Sequence, residues 1–249
     1  MKSVALIPAR AGSQRVKHKN ILPVQNHPLI AYTISAAIDS NIFDSVICVT
    51  DSKEYAEIAQ HYGAEVPILR PSDTAESNSP DIHWVNWILE HLARNDRCFD
   101  IFSILRPTNP LRTVETITRA WNLFIDAGES VDSLRAVELC NQHPGKMWQI
   151  KDNFLKPLMS DCTEDGTPFH SNQYNALPKI YVQNASLEIA WYKVLAESNS
   201  ISGNNILPLI SQGLEGFDIN YPEDLERLEN LLRTGQASLP SVIVDSYKN

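Results

Sequence analysis

The chain has 249 residues, 43% of them hydrophobic and 20% charged, with 21 Lys/Arg against 30 Asp/Glu and a formal net charge of −9. This is the size and composition of a single α/β domain, or of one domain with a small appendage. The acidic balance argues against nucleic-acid and anionic-membrane partners, because both call for a basic face. No apolar run approaches the roughly 18 residues of a membrane span, and a strand is predicted so near the start that no signal peptide is expected. A cytoplasmic protein is therefore expected. The four cysteines, Cys48, Cys98, Cys140 and Cys162, are far apart and form no Cys-x-x-Cys. That pattern suits reduced thiols rather than a disulfide or zinc framework.

Residues 4–8 (VALIP) read as a short buried strand. A turn-rich loop follows, then a basic run. Across residues 8–20 stand Arg10, Arg15, Lys17 and Lys19, with His18 and no acid. A strand that opens into a Gly-containing loop, with backbone N–H groups and cations, suits a polyphosphate. The same residues also read as a solvated basic loop after an edge strand. They match neither the Walker A pattern nor Gly-x-Gly-x-x-Gly. Residues 21–28 predict a turn, and Pro28 opens a helix over 29–40 with Leu29, Ile30, Ile34 and Ile38 at helical spacing. Residues 46–50 (VICVT) predict a second strand, 54–62 a helix closed by Gly63, and 65–69 a third short strand. This alternation implies parallel strands with right-handed crossovers and a ligand site at their carboxyl ends.

Residues 70–81 (RPSDTAESNSPD) read as a loop and 82–92 as a helix, with Trp84 and Trp87 taken as core packing. Residues 99–105 predict a buried strand that runs into Arg106-Pro107-Thr108-Asn109-Pro110-Leu111-Arg112. Two prolines exclude a central strand there, so a shaped loop is predicted. A helix over 114–126, capped by Thr113, and a strand over 131–137 come next. From 138 to 178 the rhythm changes to short apolar pieces among Asn, Gln, Asp, Gly and Pro, read as an inserted arm of short strands and loops within one 1–249 domain. Strands over 181–192 and 206–210 lead to Gly216-Phe217-Asp218-Ile219-Asn220. On an extended chain Asp218 and Asn220 share one face, and Phe217 and Ile219 the other. Two side-chain oxygens so placed suit Mg²⁺, and they equally read as turn or capping residues. A helix from Pro222 to about Arg233 and a tail complete the chain. No Ser/His/Asp order and no metal-type Cys/His cluster is apparent, so covalent catalysis has no obvious nucleophile.

Pro8-Ala9-Arg10-Ala11-Gly12-Ser13, followed by Lys19-Asn20, resembles the Pro-Ala-Arg-x-Gly-Ser-Lys-x-x-x-x-Lys-Asn signature of the acylneuraminate cytidylyltransferases. The usual lysine after Ser13 is Gln14 here, with Arg15 next to it. The 106–112 loop resembles that family's Leu-Gln-Pro-Thr-Ser-Pro-Leu-Arg, with Arg106 where glutamine is common. The sequence from Asp218 resembles its Asp-Ile-Asp/Asn followed by Pro-Glu-Asp-Leu. His143-Pro144-Gly145-Lys146 resembles its His-Pro-x-Lys, and Asn184 is what remains of its Arg-Pro-Asn-Gly-x-Ile-Tyr, where Val182 replaces the arginine.

The resemblance implies a three-layer, mostly parallel, Rossmann-like sheet of the nucleotide-diphospho-sugar transferase type, with the arm serving dimerisation. It implies transfer of CMP from CTP to the anomeric hydroxyl of a 2-keto sugar acid, releasing pyrophosphate, in a homodimer that uses Mg²⁺. Ala9, Arg10, Ala11, Gly12, Ser13, Lys19, Asn20 and Arg70 would border the nucleotide. Arg10, Arg15 and Asp218 would act in catalysis, and Asp218 with Asn220 would hold the metal. Arg106, Lys146 and Asn184 would face the sugar acid, Lys146 across a dimer interface; Lys146 also reads as a solvated surface lysine. Arg106 and Val182 depart from the sialate pattern, which keeps other nine-carbon acids open. An octulosonate or another nucleotide on the same fold, and a non-catalytic nucleotide-binding protein, are the alternatives.

Overall fold

The computed structural model describes residues 1–76 and 79–248. Ser77 and Asn78, in the predicted 70–81 loop, and the last tail residue, Asn249, lie outside the described residues. The chain forms two compact units, Met1–Ala136 with Asn184–Asn249, and Val137–Gln183.

The first unit is built on β1 (Ser3–Pro8), the β2/β3 hairpin (Pro23–Val24 and His27–Pro28), α1 (Leu29–Asp39), β4 (Ser45–Val49), α2 (Lys53–His61), α3 (Asp81–Arg94) and β5 (Ile101–Leu105). It continues through α4 (Val114–Ala127), β6 (Ser133–Leu139) and β9 (Tyr181–Trp191), two strands whose outer ends fall in the second unit, then α5 (Lys193–Ser198), β10 (Ile206–Ile210) and α6 (Pro222–Arg233). The six-stranded sheet runs in the order β10-β6-β9-β5-β1-β4. β1 is parallel to β4 and to β5, whereas β9 is antiparallel to β5.

The central strands are apolar on both faces because helices cover both. Val4 and Leu6, Ile47 and Val49, Phe102 and Ile104 pack with Trp84, Ile88 and Leu92 of α3. The alternate residues Ala5 and Ile7, Val46 and Cys48, Ile101 and Leu105 pack with α1, α2 and α4. This period of two is the pleat expressed as three layers. A third apolar cluster joins Val24, Leu29, Tyr32, Leu111, Phe217, Ile219 and Leu228, which anchors α6 and the two segments that border the site.

Three expectations change. Residues 65–69 do not form a strand; only Glu65 bridges Ile47, and Pro67 two residues on has no N–H for a ladder. The predicted turn at 21–28 is a small antiparallel hairpin, with Gln25 in the left-handed region. Among the described residues the tail holds no helix or strand, but it is tied down: Tyr247 N–H donates to Tyr62 Oη at 3.0 Å, and Ser246 Oγ to the Asn26 carbonyl at 2.7 Å. Thr113 caps α4 as expected, in a capping box with Thr116.

The second unit holds the hairpin β7 (Trp148–Lys151) and β8 (Phe154–Pro157), turned by Asp152 and Asn153. Both turn residues have positive φ (52° and 62°), the requirement of a two-residue type I′ turn. The hairpin leaves Ile150, Phe154 and Leu155 exposed. Lys146 Nζ donates to the His170 and Asn172 carbonyls of the same unit. His143 accepts from the Gly145 N–H at 2.9 Å, and its other ring nitrogen meets the Pro178 carbonyl. A Cβ on Gly145 would stand 2.8 Å from the Phe169 Cβ, so only glycine fits that close approach.

Candidate active site

The loop after β1 and the loop after β5 leave neighbouring parallel strands at their carboxyl ends, where open α/β sheets hold ligands. There Arg10, Ser13, Lys19, Asn20, Arg70, Arg106, Asp218 and Asn220 line one cleft of about 310 Å³. Arg10, Ser13, Lys19 and Asn220 also border an adjoining space of about 280 Å³, together with Gln14 and Arg15. The positive island of the sequence thus becomes one wall of a cavity.

Internal hydrogen bonds shape the first loop. The Ala9 N–H donates to the Val49 carbonyl, and the Ala11 N–H to Asp51 Oδ1 at 2.8 Å. Gly12 has open space where a Cβ would stand, so a ligand can approach its backbone. Asn20 is buried, and its Nδ2 donates to the Arg10 carbonyl at 3.2 Å. It therefore holds the loop closed. Arg10 Nη1 donates to the Ala75 carbonyl at 3.2 Å. Arg70 is buried, donates to Thr74, and lies with its guanidinium carbon 5.5 Å from the centre of the Trp84 ring. Burial pushes the Arg70 guanidinium down to about 10, against the opposing charges of Asp81 and Asp51.

Lys19 Nζ donates to the Ile219 carbonyl at 2.6 Å. Burial lowers its pKa from the ordinary lysine value, and the nearby Asp218 charge partly restores it. Arg15 stays on the outside, 3.5 Å from Asn220 Oδ1 and stacked on Tyr221 at 5.2 Å.

The 217–220 segment is extended but belongs to no strand. It is held by the Ile219 N–H donating to the Thr108 carbonyl and by Asn109 Nδ2 donating to the Phe217 carbonyl. Phe217 and Ile219 are buried while Asp218 and Asn220 line the cleft, so the alternation expected of an extended chain is present. Asp218 does not cap a helix. That part belongs to Asp224, whose Oδ2 accepts from the Asn220 and Tyr221 N–H groups at 2.8 Å each. Asp218 Oδ2 accepts from Asn220 Nδ2 at 2.7 Å, and its buried Oδ1 has no hydrogen-bond partner among the described residues. An orphaned carboxylate oxygen is costly unless something else fills its lone pairs. A single carboxylate open to a cleft fits the one or two protein oxygens that Mg²⁺ usually takes. Asn220 turns its amide nitrogen toward Asp218, which suits it to orient the carboxylate. Among the described residues no group of three or more His, Cys, Asp or Glu forms a metal cluster.

One predicted residue lies outside the cleft. Asn184 does not line the cleft; its Nδ2 donates to Ser211 and its Oδ1 accepts from the Ser186 N–H, so it shapes β9. Lys146 lies in the second unit with its ammonium on backbone carbonyls. The structure adds residues that sequence reading passed over. Trp84 is buried as predicted, yet it borders the cleft and its Nε1 donates to Asp81 at 2.8 Å. The legible signal was an acid three residues before a tryptophan at a helix start, which places the two on one face. Glu188 is a second omission; it is the only charged residue of the β9 strand, and a lone charge in an apolar strand asks for a buried partner.

A family described as cytidylyltransferase matches residues 4–122. The chain is 34% identical over 244 residues to CMP-N,N'-diacetyllegionaminic acid synthase of Legionella pneumophila, covering 96% of this chain and 100% of that protein. It is 37% identical over 249 residues to N-acylneuraminate cytidylyltransferase of Escherichia coli, covering 100% of this chain and 55% of that one. Among solved structures, CMP:2-keto-3-deoxy-manno-octonic acid synthetase complexed with CTP superposes with a TM-score of 0.66 at 14% identity, over 94% of this chain and 100% of that one. That last likeness is one of fold. With the phosphate-type loop, the proline loop and the Asp218 segment gathered in one cleft, and with a relative alike over its full length, the chain belongs to the acylneuraminate cytidylyltransferase family and is a nucleotidyltransferase.

Proposed function

We propose that the protein transfers CMP from CTP to the anomeric hydroxyl of a nine-carbon 2-keto sugar acid and releases pyrophosphate. The observation that carries this reading is the meeting of Arg10, Ser13, Lys19 and Asp218 in one cleft at the carboxyl ends of β1 and β5. The full-length likeness to a legionaminate-type synthase supports a nine-carbon acid. In-line displacement at phosphorus asks the protein for positioning and charge neutralisation rather than a nucleophile. Arg10, Lys19 and the Ser13 hydroxyl hold phosphate oxygens, Arg15 meets the departing pyrophosphate, and Asn20 keeps the loop in shape. Arg70 borders the nucleotide and Arg106 the sugar acid. Asp218 would hold Mg²⁺, with Asn220 orienting its carboxylate. When bound there, the ion supplies charge neutralisation at the phosphate oxygens. The exposed apolar β7/β8 hairpin supports a homodimer, in which Lys146 would serve the partner's sugar acid.

The test is pyrophosphate release with CTP, Mg²⁺ and a panel of nine-carbon and eight-carbon 2-keto sugar acids. Release that requires a nine-carbon acid is the expected result. Release with an eight-carbon acid alone selects the octulosonate reading, and CTP binding with no release selects the non-catalytic one.

The lowered pKa of Lys19 makes a separate prediction. Its ammonium is the anion-binding form, and burial moves the loss of that charge to a pH below the ordinary lysine range. CTP affinity measured by calorimetry should fall as pH is raised through this lowered value. At pH 7.5 Lys19→Met should weaken binding by about tenfold, the scale of one charge-assisted hydrogen bond. The variant should also lose the alkaline fall. An unchanged alkaline profile in Lys19→Met would show that another group carries it.

A further inference from the structure

Arg106 is not a free cation. Its Nη2 donates to Asp81 Oδ2 at 2.6 Å and to Glu188 Oε1 at 3.1 Å. Glu188 Oε2 in turn accepts from Arg135 at 2.5 Å, and the Glu188 side chain is only 9% exposed. Asp81 Oδ1 accepts from Trp84 Nε1. A chain of ion pairs therefore runs from β6 through β9 to the end of β5 and the start of α3. Burial would lower the Arg106 pKa, but the two carboxylates more than offset it and raise it above the usual arginine value. Glu188 is held in place by the sheet itself, since it pairs in register with Ile104, two residues before Arg106. Arg106 lines the cleft, and Glu188, paired with it, does not. Both ion pairs use Nη2, so among the described residues Nε and Nη1 of Arg106 have no hydrogen-bond partner.

We propose that Glu188 is a positioning residue that selects the sugar acid through Arg106. With Asp81 it holds and aims the guanidinium, so this wall offers the Nε–H and Nη1–H donors in one fixed direction to the acyl or hydroxyl oxygens of the sugar acid. A planar fork held by two carboxylates cannot swing to follow an anion. The inference rests on the transferase reading above, and it deepens that reading by separating the wall that reads the sugar acid from the cationic loop that reads phosphate.

A double-mutant cycle on kinetics tests it. Glu188→Gln keeps the shape and removes the charge; Arg106→Gln removes the fork. Each should raise the sugar-acid KM by about tenfold, the scale of one hydrogen bond to a charged group, with the CTP KM within about twofold. The double variant should match the single ones, because Glu188 acts only through Arg106. A CTP KM that rises as much as the sugar-acid KM, effects that multiply to about 100-fold in the double variant, or a folded Glu188→Gln with unchanged kinetics would each overturn the proposal. If circular dichroism shows that Glu188→Gln does not fold, Asp81→Asn takes its place in the cycle with the same expected result, since the Asp81 side chain is 34% exposed and tolerates the change more easily. Turnover by the wild-type protein in the same assay reports on the transferase reading by itself. A wild type that turns over no acid overturns both, whereas an active wild type with a multiplying cycle overturns the positioning role alone.

Discussion

Asp218→Ala should abolish pyrophosphate release, by about 10³-fold or more, and leave the protein folded. The expected size follows from losing the carboxylate that faces the phosphate-type loop across the cleft. The expected survival of the fold follows from the partners of Asp218. Its Oδ1 bonds to nothing among the described residues, and its Oδ2 meets only the Asn220 amide. Asp224, not Asp218, ties down the start of α6. Removing Asp218 relieves the unsatisfied Oδ1 but takes the acceptor from the Asn220 amide and the opposing charge from Lys19, so the two effects largely offset in a ligand-free protein. Thermal melting without ligand should therefore show Asp218→Ala close to the wild-type midpoint. CTP with Mg²⁺ should raise the wild-type midpoint more than that of the variant. A variant that keeps a tenth of the wild-type rate would sink the assignment of Asp218. A variant that unfolds would mean that its carboxylate has a structural partner.

Arg112 should be the opposite case, large in stability and absent from the chemistry. It is fully buried and donates to the Ser186 and Arg106 carbonyls and to Thr33 Oγ1. These bonds tie the 106–112 loop to β9 and α1. No carboxylate pairs with it among the described residues, and burial, helped by the Arg106 charge, pushes its guanidinium down to about 9. Arg112→Ala relieves a buried charge, which works in favour of the variant. It also takes the arginine donor from the buried Ser186 carbonyl and Thr33 hydroxyl, at roughly 1–3 kcal/mol each, and opens a cavity, while the Arg106 carbonyl keeps the Asn109 N–H. The second effect wins, with a net loss of about 3 kcal/mol. For a chain of this length that lowers the melting midpoint by roughly 6–12 °C. Differential scanning calorimetry reads it directly, and a midpoint within 2 °C of wild type would be incompatible with this account. The closing arginine of the proline loop is thus a brace that holds Arg106, Pro107 and Thr108 against the cleft.

The α/β rhythm and the two loops at strand ends were legible because they rest on local chemistry. Apolar runs of strand length, Pro28 beside the first helical residue of α1, Thr113 at its cap and the alternation of Phe217, Asp218, Ile219 and Asn220 each act within a few residues. The cationic loop was legible for the same reason, since a run of like charge needs no partner to be recognised. Asp218 was legible as a ligand or as a cap, and the sequence could not choose, because the true cap, Asp224, lies on the same helix start and offers the same chemistry.

What stayed hidden depends on residues far apart in the chain. Arg106 reads as a free sugar-facing cation until Asp81, 25 residues before it, and Glu188, 82 residues after it, close on the same nitrogen. Asn184 carries the right chemistry for a site, but its side-chain amide is engaged by Ser211 and Ser186. The antiparallel entry of β9 beside β5 is invisible to periodicity, because a strand covered on both faces has the same apolar pattern in either direction. The residues therefore determined the layers, the loops at the strand ends and the inventory of charges. Packing determined which of those charges remain free to meet a substrate, because pairing and desolvation are set by neighbours in space and not in sequence.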